Sequence, residues 1–242
     1  MSRDVLGRAA PGGEVVHYGP LGEQVVEFWR GGSRGLVVFA HGGFWRAEYD
    51  RSHVRPLCDD LAGRGYTVAA IEYRRTSPGV LGWPSTFEDV AAAVAAAPGL
   101  SGAGELPMVL AGHSAGGHLA LWAASGRSGV AGVLALAPVA DLAAAHAEDL
   151  DGGAVADLLG GSPEEQPERY AAADPMGLPY TAPAVLVHGD ADEQVPLGQS
   201  YQFTARTGAK LVELPGADHY DLIDPESAVW PAVLAELDGL FA

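Results

Sequence analysis

The chain has a single cysteine, Cys58, and a single lysine, Lys210, in 242 residues. One thiol excludes an intrachain disulfide and a metal–thiolate cluster, and it suits a reducing, cytoplasmic setting. Positive charge is scarce: 14 Lys and Arg face 31 Asp and Glu, a formal net charge of −17. A field of that sign repels polyanions, so neither nucleic acid nor an anionic membrane is an expected partner. Long apolar runs are missing too, none approaching the roughly 18 residues of a spanning helix. The opening MSRDVLGRAAPGGEVVHYG has no apolar h-region, so no secretory leader is expected. No His/Cys/Asp spacing resembles a metal site, and no G-x-G-x-x-G opens a helix after the first strand. Neither metal nor dinucleotide cofactor is therefore expected.

What is present is apolar and evenly punctuated. At 48 % hydrophobic residues the chain can fill one sizeable core, so residues 1–242 are expected to form one domain. Residues 1–13 read as a mobile start, and Glu14–Tyr18 with Gln24–Trp29 as an edge hairpin. Continuous apolar runs at 36–40, 66–71, 108–111, 130–137 and 184–188 read as strands buried on both faces, with a last strand at 210–214. Helices are expected at 55–62, from Pro84 until Pro98-Gly99 stops it, at 118–124, at 197–207, and from Asp224 onward with Pro231 kinking it. Strand and helix alternate throughout, which implies a mostly parallel, doubly wound sheet with helices on both faces. Residues 141–182 differ: Asp141 to Glu193 carries twelve acidic residues and one base, Arg169. That stretch reads as too polar for core, and as a short cap with helices near 154–159 and 163–172.

Two stretches carry chemistry. Leu106 to Ala124, LPMVLAGHSAGGHLALWAA, is an apolar strand, a sharp turn of small residues and a packed helix. Strand, G-x-S-x-G and helix in that order form a nucleophile elbow. A serine at such an apex has strained backbone and an exposed hydroxyl, and its neighbours two residues away must be small. The N–H groups opening the helix then face developing negative charge. The second stretch, His41-Gly42-Gly43-Phe44-Trp45, follows a buried strand, where two glycines let the backbone bend and offer bare N–H groups to a ligand.

Ser114, an acid after a late strand and a histidine after the last strand follow the Ser…Asp…His order of α/β-hydrolases. The likeness runs from about residue 24 to the end. More narrowly, His41–Trp45 resembles the H-G-G-x-W box of kynurenine formamidase-like hydrolases and small esterases, and 112–119 is similar to their elbow. Gly189-x-x-Asp192-x-x-Val195-Pro196 and Asp218-His219-Tyr220 resemble their acid and histidine loops. The resemblance implies an α/β-hydrolase fold, Ser114 as nucleophile, His219 as general base and Asp192 as its orienter. It implies an oxyanion hole from Gly43, Phe44 and Ala115. The hormone-sensitive-lipase-like branch carries H-G-G-G, from which Phe44 departs.

The resulting expectation is a metal-independent serine hydrolase taking a small-molecule ester or formamide through an acyl-enzyme. A general small-acyl carboxylesterase or deacetylase is the rival within that class, and a hydrolase-fold protein binding a ligand without turnover the rival outside it. A peptidase is a weaker third, since no propeller or large lid selects peptides. Trp45, His113 and Tyr220 are candidates for the substrate pocket. His113 and His118 read as packing or orienting groups, His188 as the end of a strand, and His17, His53 and His146 as lying away from any motif. Between the neighbouring acids, Asp190 is expected to serve its own turn and Asp192 to meet the imidazole.

Overall fold

Strands that are apolar at every position still sort their residues by alternation into two separate cores. The computed structural model describes residues 2–242, with side chains from Asp4 onward. Its strands are β1 (Glu14–His17), β2 (Val25–Arg30), β3 (Leu36–Ala40), β4 (Thr67–Ile71), β5 (Met108–His113), β6 (Val130–Leu136), β7 (Ala184–Gly189) and β8 (Lys210–Leu214). Its helices are α1 (Arg55–Gly63), α2 (Ser85–Ser101), α3 (Ala115–Ala124), α4 (Leu142–Ala147), α5 (Ala154–Leu159), α6 (Pro167–Ala173), α7 (Gly198–Thr207) and α8 (Trp230–Gly239). Val38, Leu110, Val133 and Leu186 face one core with α2 and α3, whereas Val37, Val109, Leu134 and Val187 face the other with α1 and α8. Burial on both faces explains why these strands read as unbroken apolar runs.

One sheet runs β1-β2-β4-β3-β5-β6-β7-β8. The hairpin β1–β2 is antiparallel and joins β4 antiparallel; every pairing from β4 to β8 is parallel. After β3 the chain winds to one side to make β4, then returns past β3 to make β5. That reversal leaves a crevice beyond the carboxyl ends of β3 and β5, the position where open α/β sheets bind ligands. Among the described residues no helix is long and apolar enough to cross a membrane.

Several expectations are corrected. Of the expected mobile start 1–13, Met1 lies outside the described residues, while Ser2–Gly7 forms a 3-10 turn with Val5 fully buried and the Arg8 guanidinium holds Asp224 at 2.9 Å. Pro98 does not stop α2. It stands three residues from the helix end, where it forfeits one hydrogen bond, and Gly102 at φ +72° makes the stop. Asp224 starts no helix, because its carboxylate serves Arg8 and the Glu226 N–H. The last helix begins at Trp230 with Pro231 in its first turn, where a fixed φ is an advantage and no kink results.

Residues 141–182 are more deeply built in than their acidity suggests. Leu142, Ala145, Ala154, Leu158 and Leu159 are fully buried and belong to the α2–α3 core. Most of the acids of 141–182 are exposed, while Asp141 and Asp174 are half-buried. Asp141 caps α4 by accepting the Ala144 N–H, and Asp157 takes the Arg46 guanidinium at 2.9 Å.

Candidate active site

The elbow follows from three close approaches. A Cβ on Gly112 would lie 2.1 Å from the Gly116 carbonyl oxygen, one on Gly116 2.0 Å from the Ala40 carbonyl oxygen, and one on Gly117 2.9 Å from Pro138 Cβ. Side chains at these positions would push α3 off β5 and β3. With them absent, the chain turns within one residue, and Ser114 takes φ +57°, ψ −122°, a conformation that non-glycine residues rarely hold. The turn is fixed on both sides: Ser114 N–H donates to the Leu136 carbonyl at 2.8 Å, and Ser114 C=O accepts from His118 N–H at 3.1 Å. Ala115 opens α3, so its N–H has no helical acceptor and stands beside the serine.

The loop after β3 supplies the opposing wall. Gly43, Phe44 and Trp45 have φ of +108°, +47° and +57°, three successive residues on the positive side of φ. His41 anchors it from beneath. Its Nε2 lies 2.9 Å from Glu72 Oε1 and its Nδ1 2.8 Å from the Gly42 carbonyl, while the Tyr73 hydroxyl donates to the His41 carbonyl at 2.7 Å. A planar trans peptide aims its N–H opposite its C=O, so a Gly42 carbonyl turned to His41 turns the Gly43 N–H away from it. Burial pushes the Glu72 carboxyl up, but His41, Arg75 and the Arg51 N–H more than reverse this and bring it down to about 2.

Asp192 and His219 meet from the loops after β7 and β8. Asp192 Oδ2 stands 2.6 Å from His219 Nδ1, and Asp192 Oδ1 accepts the N–H groups of Gln194 and Val195, each at 2.8 Å. Burial alone would raise this carboxyl; hydrogen bonds from His188 and His219 hold it well below the usual carboxylate range. Asp190 accepts the Gly216 N–H across to the loop after β8, so its carboxylate ties that neighbouring loop rather than capping its own turn as expected.

Ser114 and His219 open on one cavity of about 80 Å³, also lined by Leu6, Gly43, Phe44, His53 and Tyr220. The structure thus gathers Ser114, Asp192, His219, Gly43, Phe44, His113 and Tyr220. His113 reaches under the histidine loop, its Nε2 2.9 Å from the His219 carbonyl and its ring centroid 4.3 Å from that of His219. Burial, then the neighbouring His219, pushes the His113 imidazole well down.

Trp45 is the exception among the candidates. It is fully buried in the α2–α3 core, edge-on to His118 at 5.1 Å, and does not line the cavity. Its left-handed φ carries the side chain inward, which no residue pattern disclosed. Conversely, His53, which lies away from any sequence motif, lines the cavity; it belongs to a 3-10 turn, and burial with His41 beside it pushes its imidazole down to about 4. Its signal was weak, a lone histidine outside any motif. Among the described residues no group of three or more His, Cys, Asp or Glu could hold a metal ion.

Comparison with known proteins agrees with this geometry. Residues 30–207 match the BD-FAE family model. The esterase LipQ of Mycobacterium tuberculosis (strain ATCC 25618 / H37Rv) is 29 % identical over 243 residues, covering 86 % of this chain and 57 % of that protein. This chain therefore spans little more than half of that relative's length. A truncated carbohydrate esterase from gut microbiota superposes with a TM-score of 0.77 at 20 % identity, covering 96 % of this chain and 95 % of that one. A thermophilic esterase, Est2, of the planctomycete Thermogutta terrifontis gives 0.72 at 23 % identity, covering 97 % and 95 %. These likenesses establish the α/β-hydrolase fold.

Proposed function

We propose, on the premise that this chain belongs to the BD-FAE family of α/β-hydrolase esterases, that it is a serine esterase for small-molecule esters of short acyl groups. One observation carries the reading: a serine held at φ +57° and a histidine backed at 2.6 Å by a carboxylate open on the same small cavity. In this mechanism Ser114 Oγ attacks the ester carbonyl carbon as its proton passes to His219 Nε2. The N–H groups of Ala115 and of Gly43 or Phe44 take the oxyanion. Collapse breaks the bond to the alkoxy group, which leaves with the proton from His219. Water, deprotonated by His219, then releases the acid from Ser114. Asp192 holds the imidazole tautomer throughout. No metal or cofactor takes part.

The cavity supports the acyl size. At about 80 Å³ it is far below the 300–1,000 Å³ of pockets that engulf drug-sized ligands, so it suits formyl to butyryl rather than octanoyl. Thermogutta Est2 has been solved with propionate and with butyrate bound, and phosphonylated by sarin. The test is fluorophosphonate labelling with a panel of formyl, acetyl, butyryl and octanoyl aryl esters. Labelling should vanish in Ser114→Ala, and kcat/KM should fall with chain length. Labelling that survives, or a profile rising to octanoyl, rejects the assignment. N-formylkynurenine belongs in the same panel, since a formyl group fits the cavity equally well.

A further inference from the structure

His188 lies one residue before the end of β7, fully buried, and contributes nothing to the wall of the cavity. Its Nε2 is 3.0 Å from the Val195 carbonyl and 3.3 Å from Asp192 Oδ2. Both neighbours are acceptors, so Nε2 carries the hydrogen. Nδ1 is 2.7 Å from the Ser200 hydroxyl on α7, which donates to it. Glu213, opposite His188 in the strand register, is turned instead to the Tyr201 hydroxyl at 2.6 Å.

We propose that His188 is a positioning residue for Asp192, fixing the carboxylate oxygen that serves His219. The inference rests on the roles given above to Ser114, Asp192 and His219. Two N–H groups pin Oδ1, yet a carboxylate held at one oxygen still swings about that anchor. Oδ2 meets both His219, at 2.6 Å, and His188, at 3.3 Å, so the second contact helps set the direction in which the acid faces the His219 imidazole. Ser200 fixes the His188 tautomer, and the Val195 carbonyl ties the same N–H to the acid loop. A route therefore runs from α7 through His188 to Asp192 without touching substrate.

Two variants separate positioning from mere support. A glutamine amide nitrogen falls near the His188 Nε2 position, and an asparagine amide nitrogen near Nδ1. His188→Gln should keep kcat within about threefold. His188→Asn should lower kcat about tenfold, equivalent to about 1.4 kcal/mol, with KM unchanged. The low-field proton resonance of the His219 Nδ1–H should persist in the first and move or broaden in the second. If both lose activity equally, or if Asn is the better replacement, His188 merely supports α7 and the proposal is overturned. Should neither fold, ¹⁵N spectra of the wild type decide: a hydrogen on Nε2 is required, and an Nδ1–H tautomer overturns the proposal. Ser114→Ala and Asp192→Asn run alongside. If they stay active, the triad assignment itself fails; if they are inactive while His188→Asn behaves as wild type, only the His188 proposal fails.

Discussion

Gly116 approaches Ala40 so closely that a Cβ on it would stand 2.0 Å from the Ala40 carbonyl oxygen. This contact locks the first turn of α3 over the end of β3, and so sets the distance between the serine elbow and the Gly42–Trp45 loop. Gly116→Ala should cost at least about 3 kcal/mol, the upper range of overpacking, read as a lower urea midpoint. A midpoint within about 0.5 kcal/mol of wild type would mean that the two elements are not interlocked.

Asp190 and Asp192 provide the sharpest contrast in the acid loop. Asp192→Asn should fold normally and lose about 10⁴ in kcat, because an amide favours the wrong imidazole tautomer. Asp190→Asn loses its charge at the Gly216 N–H, so it should lower stability by about 0.5–2 kcal/mol and leave kcat near wild type. Measuring kcat and the unfolding midpoint of both tests the pairing; an inactive Asp190→Asn beside an active Asp192→Asn would reverse it.

Gly43 combines two constraints. Its φ is +108°, and a Cβ there would lie 2.4 Å from Tyr49 Cβ. Gly43→Ala should lower kcat by about 10²–10³, the scale of one lost oxyanion donor. Relieving the clash with Tyr49→Gly, which removes the Cβ itself, should recover only part of this, since the backbone preference persists. Full recovery in the double variant would place the effect in packing alone.

The pH response should be dominated by histidines buried neutral. His118 is fully buried with Nε2 donating to the Ala173 carbonyl at 3.0 Å, and burial pushes it down to about 4 from 6.5. The unfolded chain therefore takes up its proton first as pH falls. This contribution is complete above about pH 6.5 and is lost as pH falls toward 4, amounting to about 2 kcal/mol at pH 5. His53 acts in the same direction, whereas Asp174, raised to about 6 by burial, opposes it by gaining stability on protonation. The measurement is thus a difference. Between pH 7 and 5 the wild type should lose about 2 kcal/mol more than His118→Gln; parallel curves would exclude His118 as the source.

How far the sequence disclosed this molecule depends on what each residue answers to. The strands and the elbow glycines were legible because each is a local pattern with a steric cause, whereas the roles of Asp192 and His219 were implied by the resemblance to α/β-hydrolases. Trp45 faces the core and not the cavity because side-chain direction there depends on three successive positive φ values, which residue identity does not disclose. His53 was passed over because only tertiary folding brings Arg51–Val54 to the cavity. The acidic stretch misled by composition: most of its charges are exposed, yet the same short helices supply Leu142, Leu158 and Leu159 to the core.

Leu6 belongs to the wall of the cavity, and its turn is tied down by the burial of Val5 and by Arg8 on Asp224. Segments of a fold can open locally at free energies below that of global unfolding. Opening of the Ser2–Gly7 turn would remove one side of the cavity. A ligand that needs the closed wall must then slow hydrogen exchange at residues 4–8, linking occupancy of the cavity to the quietness of the chain's first turn.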